Sequence, residues 1–247
     1  TRKESSAASD VYKRQVFESA LKTNINLEFA VITGCLRISR ESIFTGLNNL
    51  DIYSIMNPRY ADAFGFTEKE VKELLSFYQL DDKFDEVKNW YDGYRFGKTE
   101  IYNPWSIINY VNAAMTDPQA YPRPYWSNTS SNSIIKELIE NADSAMKQEI
   151  EDLIAGGRVK KPVHEDITYD SIYESQDNLW DFLYFTGYLK SGRESFEDDT
   201  EYVEFMIPNR EIRTIYKRTI MTWFDKKMQN MDRSELLSLI HISEPTR

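Results

Sequence analysis

The stretch that comes nearest to gripping a phosphate is GYRFGKT, Gly93 to Thr99. A phosphate loop of the form G-x-x-x-x-G-K-[ST] needs four residues between its glycines; here only Tyr94, Arg95 and Phe96 separate Gly93 from Gly97, and position 92 is Asp. The cradle must also leave a strand and enter a helix at once, so that successive N–H groups and the helix N-terminus face the phosphates. Glu100 to Tyr102 reads as extended and the next helix waits for Pro104, so a glycine-rich turn between a helix and a strand is expected instead. Histidine-based nucleophilic catalysis would rest on His164 in the polar run KKPVHED, with no G-x-S-x-G signature to supply a partner. That predicts a surface or strand-end residue. Trp90, Tyr91, Tyr94, Tyr102, Trp105, Tyr121, Tyr125 and Trp126 form an aromatic middle that could stack sugars or bases, or fill a core. With Asp92 and other acids nearby, a glycosidase needing two carboxylates in an open cleft remains an alternative. Arg210, Arg213, Lys217, Arg218, Lys226 and Lys227 give the last helix a basic side that either meets phosphates or faces solvent opposite Ile212, Ile215, Tyr216, Ile220 and Trp223.

Composition limits the chemistry further. The 247 residues are 41% hydrophobic and 28% charged, with a net charge of -10, which suits one ordinary domain or two small ones. One cysteine, Cys35, and two histidines provide neither a disulfide framework nor a Cys/His zinc site, so metal chemistry would need carboxylates. No apolar run reaches the roughly 18 residues that cross a bilayer and no leader pattern opens the chain, so the cytoplasm is the expected compartment. The two ends read as foreign. SSAASDVYKRQ (Ser5–Gln15) and LSLIHISEPTR (Leu237–Arg247) match translations of paired transposon-end sequencing adapters. Residues 1–15 and 237–247 are therefore set apart as adapter-derived. They hold five of the 30 Lys/Arg and three of the 40 Asp/Glu, leaving 25 basic against 37 acidic residues and a net of -12 over 16–236. A chain that acidic does not attract nucleic acid as a whole, although a local basic face could.

Within 16–236 the expected order is α/β, then mostly α. Val16 to Lys22 reads as the end of a helix. LEFAVIT, Leu27 to Thr33, and DIYSI, Asp51 to Ile55, read as short strands of a parallel sheet. These place the end of an α/β core at 16–60. A helical region follows over 61–157. Thr67 and Glu70 make a capping box before Val71, Leu74, Leu75 and Tyr78. Asn103-Pro104 opens a helix, Ser133–Glu140 follows as another, and Asp143–Ile154 is stopped by Gly156-Gly157. Residues 158–236 read as helix, strand, wing, strand, helix: Asp177 caps NLWDFLYFT, Tyr188–Lys190 is extended, SGRESFEDDTE loops out, YVEFMIP is a strand, and Asn209 caps the last helix. This order resembles a winged helix, and the acidic wing argues against its insertion into DNA.

Taken together, TGCLRISRESIFTGLNNLDIYSI, ADAFGFTEKEV, WYDGYRFGKTEIYNPWSIINYV, YWSNTSSNSIIKELI, LWDFLYFTGYLK and IPNREIRTIY resemble the AAA-ATPase-like family of bacterial proteins that carry a C-terminal PD-(D/E)XK-type nuclease domain. The likeness covers nearly all of 16–236. It implies the C-terminal part of a P-loop NTPase core followed by a helical region with a winged-helix-like hairpin. In that family the phosphate loop, of a form like RRFGKS, and the acidic metal-binding strand lie before the TG-x-x-RIS block, and the nuclease signature lies after the IPN block. The resemblance thus implies a fragment, inactive alone, of a parent that uses ATP and Mg2+ and reaches DNA through its missing core and nuclease domain. It makes Thr33, at a strand end, a candidate γ-phosphate sensor and Arg37 a candidate phosphate-facing charge. The alternative is a non-enzymatic winged-helix or helical module that binds protein or nucleic acid.

Overall fold

A computed structural model describes residues 15–34, 36, 51–128, 143–167, 171–172 and 174–219. The chain divides into two compact units, each assembled from separated stretches. The first draws on residues up to Lys69, Gly93–Tyr102 and Arg158–Met206; the second on Glu70–Asp92, Asn103–Gly157 and the residues from Ile207 onward.

Alternation and turn chemistry build the first unit. Strands β1 (Tyr94–Phe96) and β2 (Thr99–Ile101) pair antiparallel around a two-residue turn, with Phe96 opposite Thr99. Gly97 opens that turn at φ 52°, the sign a primed hairpin turn requires. A Cβ at Gly97 would lie 2.7 Å from Pro58 Cα and 2.9 Å from Asn57 O, both backbone atoms. Gly97→Ala should therefore lower stability by more than about 1 kcal/mol, read as a lower urea midpoint at unchanged slope. Strands β3 (Val159–Pro162), β4 (Lys190–Glu197) and β5 (Thr200–Met206) form an antiparallel sheet in the order β3-β5-β4. Its hairpin turns at Asp198-Asp199, both at positive φ (47° and 61°), the requirement of a type I′ turn. Helix α5 (Gln176–Phe185) buries Trp180, Phe182, Leu183 and Tyr184, and the Tyr184 and Phe205 rings meet at 5.1 Å.

The second unit is helical. Helices α1 (Glu68–Phe77) and α2 (Phe84–Tyr91) bury Val71 with Leu75 and Val87 with Tyr91, in each case one turn apart. Helix α3 (Pro104–Thr116) buries Ile107, Tyr110, Val111 and Ala114 at the i, i+3, i+4, i+7 spacing of a single face. Asn103 caps it, accepting from Trp105 N at 3.0 Å, with Pro104 at the first helical position. Helix α4 (Ser144–Ala155) is capped by Asp143 and closed by Gly156 at φ 101°. A last helix, α6, covers 210–219 and buries Ile212, Ile215 and Tyr216. Asn209 Oδ1 caps it through Ile212 N at 3.0 Å.

Three local expectations are corrected. Leu27–Thr33 is irregular rather than a strand, and Phe29 and Val31 stand exposed at 80% and 66%. An apolar run becomes a strand only when a neighbour takes its backbone groups, and no described residue pairs with this one. Asp51–Ile55 is likewise no strand: Ile55 O accepts from Gly97 N at 2.7 Å and the chain then turns. The polar run from Ser191 is mostly strand β4, whose edge position lets charged residues face water. The helix expected over Ser133–Glu140 lies outside the described residues. No helix among the described residues is long and apolar enough to cross a membrane.

Candidate functional site

Each unit holds a buried acid that sequence reasoning did not single out. In the first unit, helix α5 carries Asp181 on its inward face, completely buried. Just beyond β3, His164 donates its backbone N–H to Asp181 Oδ2 at 3.2 Å, and its ring Nδ1 meets the same oxygen at 3.2 Å. The other carboxyl oxygen, Oδ1, is buried without a hydrogen-bond partner among the described residues. Burial pushes the Asp181 carboxyl up to about 7, against the opposing pull of the His164 contacts; the charge of Asp177, one turn earlier, adds to the rise. The His164 side chain is 49% exposed, so a buried acid fixes one face of an imidazole whose other face meets solvent. The raised Asp181 carboxyl can hold and release a proton near neutral pH. Among the described residues no hydroxyl or thiol bonds to the ring, so the nucleophile of a triad is missing from it.

In the second unit the acid is Glu211, on the buried side of α6. Its carboxylate accepts from Ser106 Oγ at 2.8 Å and from Trp126 N at 3.0 Å, joining α6 to the first turn of α3 and to a 3₁₀ turn, Tyr125–Asn128. Burial raises the Glu211 carboxyl above its ordinary range while these donors hold it down. Beside it, Tyr91 OH donates to Arg123 O and accepts from Arg123 N, both at 3.0 Å, and Tyr110 OH donates to Glu86 at 2.8 Å. The Tyr91 ring lies 5.9 Å from Tyr110 and 6.2 Å from Tyr125. Tyr91 and Tyr110 are core residues, whereas Trp105 and Tyr121 stand exposed.

Thr33 sits exposed in the irregular segment, and Arg37 lies outside the described residues. The Gly93–Thr99 motif is the β1–β2 hairpin, its Gly97 amide donates to Ile55 O at 2.7 Å, and helix α3 begins only at Pro104. Arg95 is a bracing residue: Nε donates to Gly97 O at 3.1 Å and Nη1 to Gly192 O at 3.0 Å. Gly192 lies in a bulge where β4 slips register between Ser191 and Glu194, which takes its carbonyl out of the ladder and leaves it to the guanidinium. Among the described residues no group of three or more His, Cys, Asp or Glu could hold a metal ion. On α6, Lys217 and Arg218 are exposed opposite the buried face, as the amphipathic pattern predicts, and the Arg210 guanidinium stacks 4.9 Å above the Trp90 ring.

Asp181 and Glu211 each left a trace in the sequence, an acid at a core position of an apolar helical pattern. Their partners stand 17 and 105 residues away, and no local rule reaches them.

No protein-family model matches the chain, and no solved structure matches it. It is similar to a protein of Azotobacter chroococcum mcd 1 described as "Uncharacterized protein in vnfD 5'region", 28% identical over 126 residues. The aligned part is 51% of this chain and 23% of that protein, so the chain spans about a quarter of the relative it matches.

Proposed function

We propose that residues 16–236 are a scaffold segment of an ATP-binding protein: the end of an AAA-ATPase-like core, a helical region and a winged-helix-like hairpin, with nucleotide hydrolysis and a linked nuclease carried elsewhere in a cytoplasmic parent. The observation that supports this most is where the family-like blocks fall. Arg95, Asn103 and Ser106 in the WYDGYRFGKTEIYNPWS block, Asp181 in LWDFLYFTGYLK, and Asn209 and Glu211 in IPNREIRTIY are all hydrogen-bonded at caps and junctions between elements. Those residues hold a shape. On this reading ATP and Mg2+ are gripped by the parent outside this segment, and Thr33 and Arg37 are the positions that meet the nucleotide. The irregular apolar run 27–33 becomes a strand once the rest of the sheet is present.

The test is MgATP turnover by the parent polypeptide, with Thr33→Ala and Arg37→Ala introduced one at a time. Turnover reduced by about tenfold or more, at unchanged nucleotide affinity, fits a sensor that acts on the transferring phosphoryl group. A parent that hydrolyses no nucleotide, or that is indifferent to both substitutions, contradicts it. The second reading, an interaction module without catalysis, is favoured by the exposed basic side of α6.

A further inference from the structure

We infer that the first two turns of α6 form a phosphoryl-group site, built from the Asn209 side-chain amide and the Arg213 guanidinium and flanked by Arg210 and Lys217. Asn209 is the N-cap residue, 8% exposed. Its Oδ1 is occupied by Ile212 N, which fixes the amide orientation. Nδ2 is buried with no acceptor among the described residues. One turn later, Arg213 Nε is also buried with no acceptor among them. A helix turns about 100° per residue, so these two donors lie about 40° apart on one side of α6. An orphaned buried donor is costly, and two on one helical turn, one of them on a cation, call for an acceptor that carries negative charge.

The surroundings suit such an acceptor. Arg210 and Lys217 are exposed on the adjoining surface of α6, and neither is ion-paired among the described residues. The Trp90 ring holds the Arg210 guanidinium in place. The helix N-terminus contributes partial positive charge at the same end. Glu211, the acid of this turn, lies about 160° around the helix from both donors, and its carboxylate is engaged by Ser106 and Trp126. Guanidinium and amide N–H groups match the tetrahedral oxygens of a phosphoryl group. The net acidity of the chain restricts attraction to this stripe, so affinity comes from the two inward donors and their cations and not from the bulk field.

The experiment titrates the chain with inorganic phosphate and, separately, with a short single-stranded DNA oligonucleotide, followed by NMR of the Asn209 side-chain amide and the arginine Nε–H signals. Saturable shifts of the Asn209 Nδ2 and Arg213 Nε resonances are expected. Asn209→Asp separates site from fold, because aspartate caps a helix as well as asparagine does yet offers an oxygen where Nδ2 donated. It should keep the thermal midpoint and weaken phosphate binding by roughly tenfold or more; Arg213→Ala should do the same. An oligonucleotide that binds more tightly than phosphate, with an affinity that falls steeply with salt, identifies a nucleic-acid backbone as the source. Equal affinity identifies a small phosphorylated ligand; both support the site. Phosphate that leaves these resonances unmoved, or that binds Asn209→Asp and Arg213→Ala as it binds the unmodified chain, overturns it.

Discussion

Glu211→Ala should destabilise the helical unit by roughly 3 kcal/mol, the cost of taking the acceptor from one buried and one half-buried donor at about 1–3 kcal/mol each, with a small cavity added. The donors are Ser106 Oγ and Trp126 N, and the lost side chain is wholly buried. Glu211→Gln should be milder. Burial already favours the uncharged carboxyl, and a glutamine oxygen can still accept from one of the two donors. Denaturation followed by the fluorescence of this unit's tryptophans measures both variants, and the order unmodified, Gln, Ala is the expected ranking. If alanine matched the unmodified protein, Glu211 would not be the junction between α3, the 3₁₀ turn and α6.

The second large effect is a pH dependence set by Asp181. Its carboxyl is raised from 3.8 to about 7 by burial. Between those values the folded chain keeps a proton on Asp181 that the unfolded chain has released. Stability from this group is therefore complete below pH 3.8, falls as pH rises through the window, and is level above about 7. Across that window stability falls steadily as pH rises, by on the order of a few kcal/mol in all. Asp181→Asn removes the titration and keeps an oxygen for the His164 backbone N–H. Urea midpoints across this range should decline with pH in the unmodified chain more steeply than in Asp181→Asn, and the difference between the two curves should flatten above pH 7. Parallel curves would mean that the carboxyl is ionised throughout and that the His164 contact governs it.

What the sequence revealed depended on distance along the chain. Asn103-Pro104, Asp143 with Gly156, and Asn209 act within one helical turn, and each cap stands where its residue type and the following apolar spacing put it. The turn character of Gly93–Thr99 was equally local, although the pairing that makes it a hairpin was not. LEFAVIT shows the opposite limit. Its apolar pattern suits a buried strand, yet a strand exists only through its neighbour, and the described residues supply none. The wing failed for the same reason in reverse: Ser191–Glu197 is polar by composition and strand by pairing, because the edge of the β3-β5-β4 sheet tolerates charge. The cap of α5 is Ser175, whose side chain accepts from Asn178 N, and not Asp177; two capping residue types so close together are not separable by type alone. Asp181 and Glu211 stood in view as residues but not as a site, since each is defined by a tertiary partner.

The most direct measurement is calorimetric titration of the chain with magnesium-ATP, beside the longer parent polypeptide. If these residues are scaffold, any saturable heat from the chain is matched by inorganic phosphate and is lost in Asn209→Asp, while the parent binds one nucleotide per subunit. Stoichiometric nucleotide binding by the chain that survives Asn209→Asp would contradict the account, because it would require a nucleotide grip elsewhere among residues committed to caps, hairpins and junctions.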